Sequence, residues 1–285
     1  MTFPAANLAP SALFALCRLP TLSLDPSRIA RVLGAITVLL VLAHLGGQFS
    51  KLELGHGNLK GLVPLFNLSA EENVPAYFSV LLLLFAALLL AVITALEHQR
   101  QMPHIPKWGL LTAGFLYMAF DEAFSVHERL MAPLREMMGV ADPVGTVKGE
   151  VVLGIFYFAW VIPGIAVVLV LGLYFMRFLL HLPASTRYRF LAAATIYLGG
   201  ALGCELIGGR YAEVHGYDNW TYTFIATAEE TLEMAGMITF IWALLKYCAE
   251  NYRYARVTFL THERRVATAR ASAKIAEPRV TTPPA

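Results

Sequence analysis

Six stretches of the sequence are apolar over about 20 consecutive residues, the length that a helix needs to cross the hydrocarbon core of a bilayer. They lack the alternation of a β-barrel strand, and lipid offers no hydrogen-bond partner to an open backbone. We therefore predict an all-α, polytopic bundle of about six transmembrane helices. The predicted spans are 29–49, 75–96, 108–128, 151–175, 190–209 and 222–247.

The composition agrees with this class. The 285 residues are 57% hydrophobic and 15% charged, with a mean hydropathy of +0.58, whereas a soluble domain is about 25% charged. We expect a cytoplasmic tail over residues 1–28, a transmembrane domain over 29–247 and a basic, largely disordered cytoplasmic tail over 248–285. The three cysteines, Cys17, Cys204 and Cys248, show neither disulfide nor metal-site spacing.

Lysine and arginine are divided unequally between alternate connections. One set of connections, which includes both tails, carries most of them, and the other set carries only Lys51, Lys60, Arg129, Arg135, Lys148 and Arg210. Because basic residues beside a span favour the cytoplasm, we predict a multi-pass protein with both termini cytoplasmic. We expect membrane lipid as a partner and no nucleic acid; the sequence does not determine the oligomeric state.

Acidic residues inside the predicted spans point towards function. The segments FDEAFSVHER, GCELIGG and ATAEETLEMAG lie in the third, fifth and sixth spans. Each ionised acid near the bilayer centre costs roughly 2.5–3.5 kcal/mol, so protons, a bound cation or a water-filled cavity must compensate them. Counting about 1.5 Å per residue puts the three groups at one depth, in the outer half of the membrane. The acids are Asp121, Glu122, Glu205, Glu229, Glu230 and Glu233.

A divalent metal is the compensation that we favour from the sequence. Carboxylates mixed with imidazole suit iron, manganese or zinc, and carboxylates alone suit calcium. The candidate metal ligands are Glu122, His127, Glu128, Glu205, Glu230 and Glu233, and the candidate catalytic residues are Asp121, Glu122, Glu128 and Glu205. The predicted function is a metal-dependent enzyme that acts on a lipid or another hydrophobic substrate. A proton- or cation-coupled transporter and a non-catalytic membrane component are the alternatives.

Local patterns predict how the helices begin and bend. Ser69-x-x-Glu72 fits a capping box for the second helix. Pro163 is expected to kink the fourth helix, and Trp160 is expected to anchor at the membrane interface.

Other patterns predict how side chains and helices approach one another. In the fifth helix Gly199-x-x-x-Gly203, with Gly200, Gly208 and Gly209 nearby, is expected to allow close approach to a neighbour, and Gly236 permits close contact on the sixth helix. On a continuous third helix His127 would point away from Asp121, which disfavours a Ser-His-acid triad with Ser125.

Four segments, FNLSAEEN, FDEAFSVHER, GGALGCELIGG and AEETLEMAG, together resemble a widespread set of uncharacterised bacterial inner-membrane proteins. The resemblance implies a location in the bacterial inner membrane and no particular activity. The chain is also faintly similar to membrane hydrolases of the alkaline ceramidase and adiponectin receptor type. Their terminal His-x-x-x-His is missing, and Glu229-x-x-x-Glu233 stands at a comparable place.

Overall fold

The computed structural model describes residues 24–137 and 154–252, and all regular elements in these ranges are helical. Helix α5 contains a π-helical turn, Gly199–Cys204. Short helices, Leu62–Leu65, Val126–Arg129 and Met131–Met137, lie in the connections. The long helices are α1 Pro26–Leu52, α2 Val74–Gln99, α3 Ile105–Phe124, α4 Val161–His181, α5 Ala184–His215 and α6 Trp220–Asn251.

The predicted all-α membrane bundle is confirmed. Five of the long helices, all except α3, are long and apolar enough to cross a membrane. Helix α3 has 20 residues, a sufficient length, but Lys107, Asp121 and Glu122 lie within it. The helices up to Cys248 belong to one unit, and a second unit begins at Ala249, near the end of α6; the structure describes residues 249–252 of this second unit.

Two of the predicted helix features are wrong. Helix α2 is capped by Asn73, whose side chain accepts from the Ala76 N–H at 3.1 Å, so Ser69 and Glu72 do not form a capping box. Helix α4 begins at Val161, ten residues later than predicted. Pro163 therefore lies in its first turn, where the missing N–H has no helical partner to lose, and it does not kink the helix.

A layer of aromatic side chains joins four helices at the end of the bundle where α3 and α5 begin. Trp108 is 1% exposed, and its ring centroid lies 5.0 Å from Phe178, 6.3 Å from Phe190 and 5.1 Å from Tyr247. Phe190 in turn lies 5.0 Å from Phe240. We call these five residues the aromatic layer.

Helices α5 and α6 cross in close contact at two glycines. A Cβ added at Gly236 would lie 2.6 Å from the Tyr197 backbone nitrogen, and one at Gly200 would lie 2.7 Å from the Glu229 carbonyl oxygen. The expected role of Gly236 is confirmed. The close approach that was predicted for the other helix is made by Gly200 and not by Gly199 or Gly203, because Gly199 has nothing within 4 Å and the nearest atom to Gly203 is at 4.0 Å.

The opposite end of the bundle is tied together by contacts distant in sequence. Lys51 Nζ lies 2.6 Å from Asp218 Oδ1, and the Trp220 indole N–H donates to Glu53 Oε1 at 2.6 Å. These contacts join the end of α1 to the start of α6. Helix α3 ends and α4 begins at this same end, which we call the acid-rich end for the residues described below.

Candidate acid–base site

A break in α3 creates a histidine–aspartate pair. The helix ends at Phe124 because Ser125 has a left-handed backbone conformation, with φ 47° and ψ 46°. The chain turns, and the His127 backbone N–H donates to Asp121 Oδ1 at 2.9 Å, while its ring Nδ1 lies 2.9 Å from Asp121 Oδ2. The expectation that His127 points away from Asp121 applies only to a continuous third helix, and this helix ends before His127.

The charges around His127 favour its protonated form. Burial alone lowers the pKa of this imidazole, but the hydrogen bond that its ring N–H donates to Asp121 and the negative charges of Asp121, Glu128 and Glu122 outweigh burial and raise the pKa from 6.5 to about 9. At neutral pH the ring is thus an imidazolium, and both ring nitrogens are donors. His127 can give up a proton when a neighbouring group needs one.

A small cavity lies beside this pair, between α2, α3, α5 and α6. Its polar lining consists of Ser79, Glu122, Tyr197 and Glu233, and four apolar side chains complete it. Tyr197 and Glu233 share a side-chain hydrogen bond, at the close α5–α6 crossing. The cavity has a volume of about 10 Å³, the lower limit of the space that one water molecule needs, and four polar groups are enough to bind it.

A pair of glutamates, Glu205 and Glu229, lies on the other side of Trp160 from the histidine–aspartate pair. The Trp160 indole N–H donates to Glu205 Oε1 at 2.7 Å, and Glu205 is hydrogen-bonded to the side chain of Glu229. The Trp160 ring centroid lies 4.9 Å from that of His127. Trp160 therefore contacts both the histidine–aspartate pair and the glutamate pair.

The connection before α2 adds a carboxyl group that the sequence analysis did not include. The Glu71 side chain is hydrogen-bonded to Ser125 and interacts with Glu128, His127 and Asp121. Burial, followed by the negative charge of Glu128, raises the pKa of this carboxyl above its usual value. Glu71 thus closes the cluster from the side of the α1–α2 connection.

The carboxyl groups of this cluster interact electrostatically mainly with one another. Glu230 interacts with Glu233, Glu122, Glu71 and Glu205. Glu233 interacts with Glu122, Glu205 and the single imidazole of His127. One imidazolium cannot balance this number of ionised acids in a buried cluster, so several of the carboxyl groups must hold protons, share a cation or face water.

A family described as a domain of unknown function, DUF8692, matches residues 31–248. The chain belongs to this family. No curated protein and no solved structure matches the chain. The DUF8692 match agrees with the resemblance to proteins without an assigned activity, and the comparisons give no support to the likeness to alkaline ceramidases.

The structure brings together the site residues that the sequence singled out. Asp121, Glu122, Glu128 and His127 interact with one another, and Glu122 and His127 interact in turn with Glu233. Glu205 and Glu230 join them through Glu233. In the described part of this DUF8692 chain, however, no three His, Cys, Asp or Glu side chains are arranged to hold a metal ion.

Three residues of the cluster escaped the sequence analysis. The sequence favours Glu72 over its neighbour Glu71, the position of Trp160 is typical of an interface anchor, and no pattern distinguishes Tyr197. A second acid beside Glu72 was the available signal for Glu71. The contacts of Trp160 and Tyr197 arise from helix packing, which the sequence does not display.

Proposed function

We propose that the protein is a membrane-embedded hydrolase that adds water to an ester or amide bond of a lipid or another hydrophobic substrate. The observation that carries the proposal is the water-sized cavity between Glu122, Tyr197 and Glu233, beside an imidazolium that Asp121 orients. A carboxylate that can take a proton and an imidazolium that can give one are the two partners that hydrolysis requires.

In the proposed reaction Glu122 or Glu233 accepts a proton from the water as the water oxygen attacks the substrate carbonyl carbon. The carbon–oxygen or carbon–nitrogen bond then breaks, and the leaving atom takes a proton from His127. The products are a carboxylic acid and an alcohol or amine. The proton held by the glutamate returns to the imidazole, which restores the starting state.

The aromatic layer supports an enzyme over a transporter. Trp108 precedes Glu122 by 14 residues on α3, or about 21 Å along the helix axis, and it is buried among rings from α4, α5 and α6. A transported ion would have to pass this apolar layer. A proton- or cation-coupled transporter is the second candidate, favoured by the number of carboxyl groups that interact across α3, α5 and α6.

The orientation of the chain in the membrane is a separate proposal. We propose that both termini lie in the cytoplasm of a bacterium and the acid-rich end on the outer side of the inner membrane; the distribution of Lys and Arg, with α3 counted as a sixth span, supports this orientation. The test uses a cysteine-free chain with Ser69→Cys or Gln99→Cys, both at exposed positions. A membrane-impermeant maleimide added to intact cells should label the former and not the latter; the reverse pattern would contradict this orientation.

The hydrolase is tested in vesicles made from a bacterial lipid extract in ¹⁸O-labelled water, with mass spectrometry of the products. The wild type should release acids that carry ¹⁸O, and Glu233→Gln should lower the rate by about 10²–10⁴-fold. Glu53→Gln makes the same charge change outside the site and should keep the rate. Wild-type vesicles that release no more acid than empty vesicles would contradict the hydrolase, and ion flux through them would favour the transporter.

A bound iron, manganese, zinc or calcium ion stays a separate prediction of the sequence. It is tested by elemental analysis of the purified wild type and of a Glu205→Gln, Glu230→Gln double variant. Stoichiometric metal that is lost in the double variant would support it. Equal metal content in both proteins would contradict the predicted ligands.

A further inference from the structure

The connection between α1 and α2 folds back alongside the last turns of α1. A Cβ added at Gly47 would lie 3.6 Å from a methyl carbon of Val63, and the Leu68 backbone N–H donates to His44 Nδ1 at 3.0 Å. Val63 and Leu68 are only 6% and 3% exposed. The connection is therefore packed against the side of α1 over residues 63–68.

The residues of α1 that make these contacts lie inside its membrane span. Residues 32–50, between Arg31 and Lys51, include no lysine, arginine or acid. They cover about 28 Å along the helix axis, close to the roughly 30 Å of a hydrocarbon core. Gly47 and His44 precede Lys51 by four and seven residues, or about 6 and 10 Å. The connection thus reaches the depth at which interfacial elements bury their apolar side, about 5–10 Å into the boundary between headgroups and acyl chains.

Buried amide side chains bind the irregular backbone of the connection. The Asn73 amide nitrogen donates to the carbonyl oxygens of Asn67 and Ala70 at 2.6 and 2.7 Å. The Gln48 amide nitrogen donates to Asn67 Oδ1 at 3.0 Å. Non-helical backbone is tolerated at membrane depth only where the protein satisfies its polar groups, and these bonds meet that requirement for the carbonyl groups of Asn67 and Ala70.

The connection has an apolar side and a polar side. In the helical turn that begins at Leu62, Val63 packs against α1, while Leu62 and Leu65 are 57% and 42% exposed. Residues three apart share a helix face, so the two leucines form one exposed apolar side. Ser69 and Glu72, later in the connection, are exposed polar residues. Such a division is typical of an element that lies in a membrane interface.

We propose that the α1–α2 connection is inserted in the leaflet at the acid-rich end, with Leu62 and Leu65 among lipid acyl chains and with Ser69 and Glu72 towards water. Lipid is the occupant because the two leucines lie beside the last turns of α1, a helix that already faces lipid. Phe49, two residues after Gly47, is 52% exposed at the same level. The insertion does not depend on the proposed hydrolase.

Spin labels on single cysteines in a cysteine-free chain, reconstituted in lipid nanodiscs, test the insertion. Oxygen concentrates among acyl chains, and a neutral nickel complex stays in water, so the ratio of their collision rates with a label reports its depth. The labelled positions are Leu62→Cys and Leu65→Cys. The matched control is Leu54→Cys, a leucine that is 58% exposed and follows Lys51 by three residues on the same connection.

The ratio of oxygen to nickel collisions should be several-fold higher at Leu62 and Leu65 than at Leu54. Equal ratios at the three positions would overturn the insertion. Low collision rates with both reagents at Leu62 and Leu65 would mean that protein, such as a second copy of the chain, covers the leucines, and would overturn lipid as the occupant.

His44 sets the depth of the connection in this proposal, because its Nδ1 binds the Leu68 N–H. His44→Asn keeps an acceptor atom at the δ position, whereas His44→Leu removes it. We expect the ratio at Leu65→Cys to fall towards that of Leu54→Cys in the leucine variant and to stay high in the asparagine variant. Wild-type ratios in both variants would contradict the role of His44. If His44→Leu does not fold, the labels on the chain with His44 intact still decide the insertion.

Discussion

The close crossing of α5 and α6 predicts opposite outcomes for two adjacent glycines. A Cβ at Gly200 would lie 2.7 Å from the Glu229 carbonyl oxygen and 3.0 Å from Glu233 Cγ, whereas a Cβ at Gly199 would meet nothing within 4 Å. Carbon–oxygen contacts normally lie at about 3.3 Å or beyond, so Gly200→Ala must separate the helices by at least about 0.6 Å. The atom in the way is backbone, which cannot turn aside.

Overpacking of this kind costs about 1–3 kcal/mol. Alanine also favours a helix over glycine by up to about 1 kcal/mol, and the Gly199→Ala variant should gain that preference without the clash. We therefore expect Gly200→Ala to unfold with a free energy about 1–3 kcal/mol below that of Gly199→Ala. Reversible unfolding in mixed detergent micelles measures the difference. Equal stability of the two variants would refute the described crossing and, with it, the contact between Tyr197 and Glu233.

Three further predictions concern the same cluster. Gly236→Ala should lower the free energy of unfolding by at least about 1–3 kcal/mol in the same assay. The control is Gly114→Ala, whose Cβ meets nothing within 4 Å. An equal loss of stability in the two variants would contradict the close crossing. Glu71→Gln should raise the free energy of unfolding at neutral pH, because burial raises the pKa of this carboxyl and so disfavours its charged form in the folded protein. Glu72→Gln, at an exposed neighbour, should change little. The pKa of His127 rises from 6.5 to about 9 on folding, so the protonated ring stabilises the folded protein by at most about 3 kcal/mol. This stabilisation is complete below pH 6.5 and is lost as the pH rises through 9. If the free energy of unfolding of His127→Gln changes with pH as steeply as that of the wild type, this prediction is wrong.

Much of the fold was predictable because lipid imposes strong rules. Apolar runs of about 20 residues must be helices, and the described helices appear where those runs lie. The acids at 121–122, 205 and 229–233 could be placed together for a similar reason, since charges that share a depth in a membrane must find partners. The rise per residue along each helix was enough to predict that these acids lie at a common depth.

The parts that failed depend on local backbone geometry. A left-handed Ser125 ends α3 and turns His127 back to Asp121, although serine has no strong preference for that conformation. Helix α5 has a π-helical turn at Gly199–Cys204, and within this turn Gly200, not Gly199, lies against α6. The cap of α2 is Asn73, whose Nδ2 also donates to the Asn67 carbonyl oxygen at 2.6 Å, a contact set by the folded connection. None of these choices leaves a repeated signal in the sequence.

The clustered carboxyl groups of the acid-rich end are expected to hold protons that can be exchanged. A hydrophobic carbodiimide tests it directly, because it reacts from the lipid phase with protonated carboxyl groups and leaves an adduct that peptide mass spectrometry can locate. We predict adducts at neutral pH on the peptide that contains Glu229, Glu230 and Glu233, and their loss when all three are replaced by glutamine. Adducts confined to exposed acids such as Glu53, with none on that peptide of the folded protein, would contradict the account.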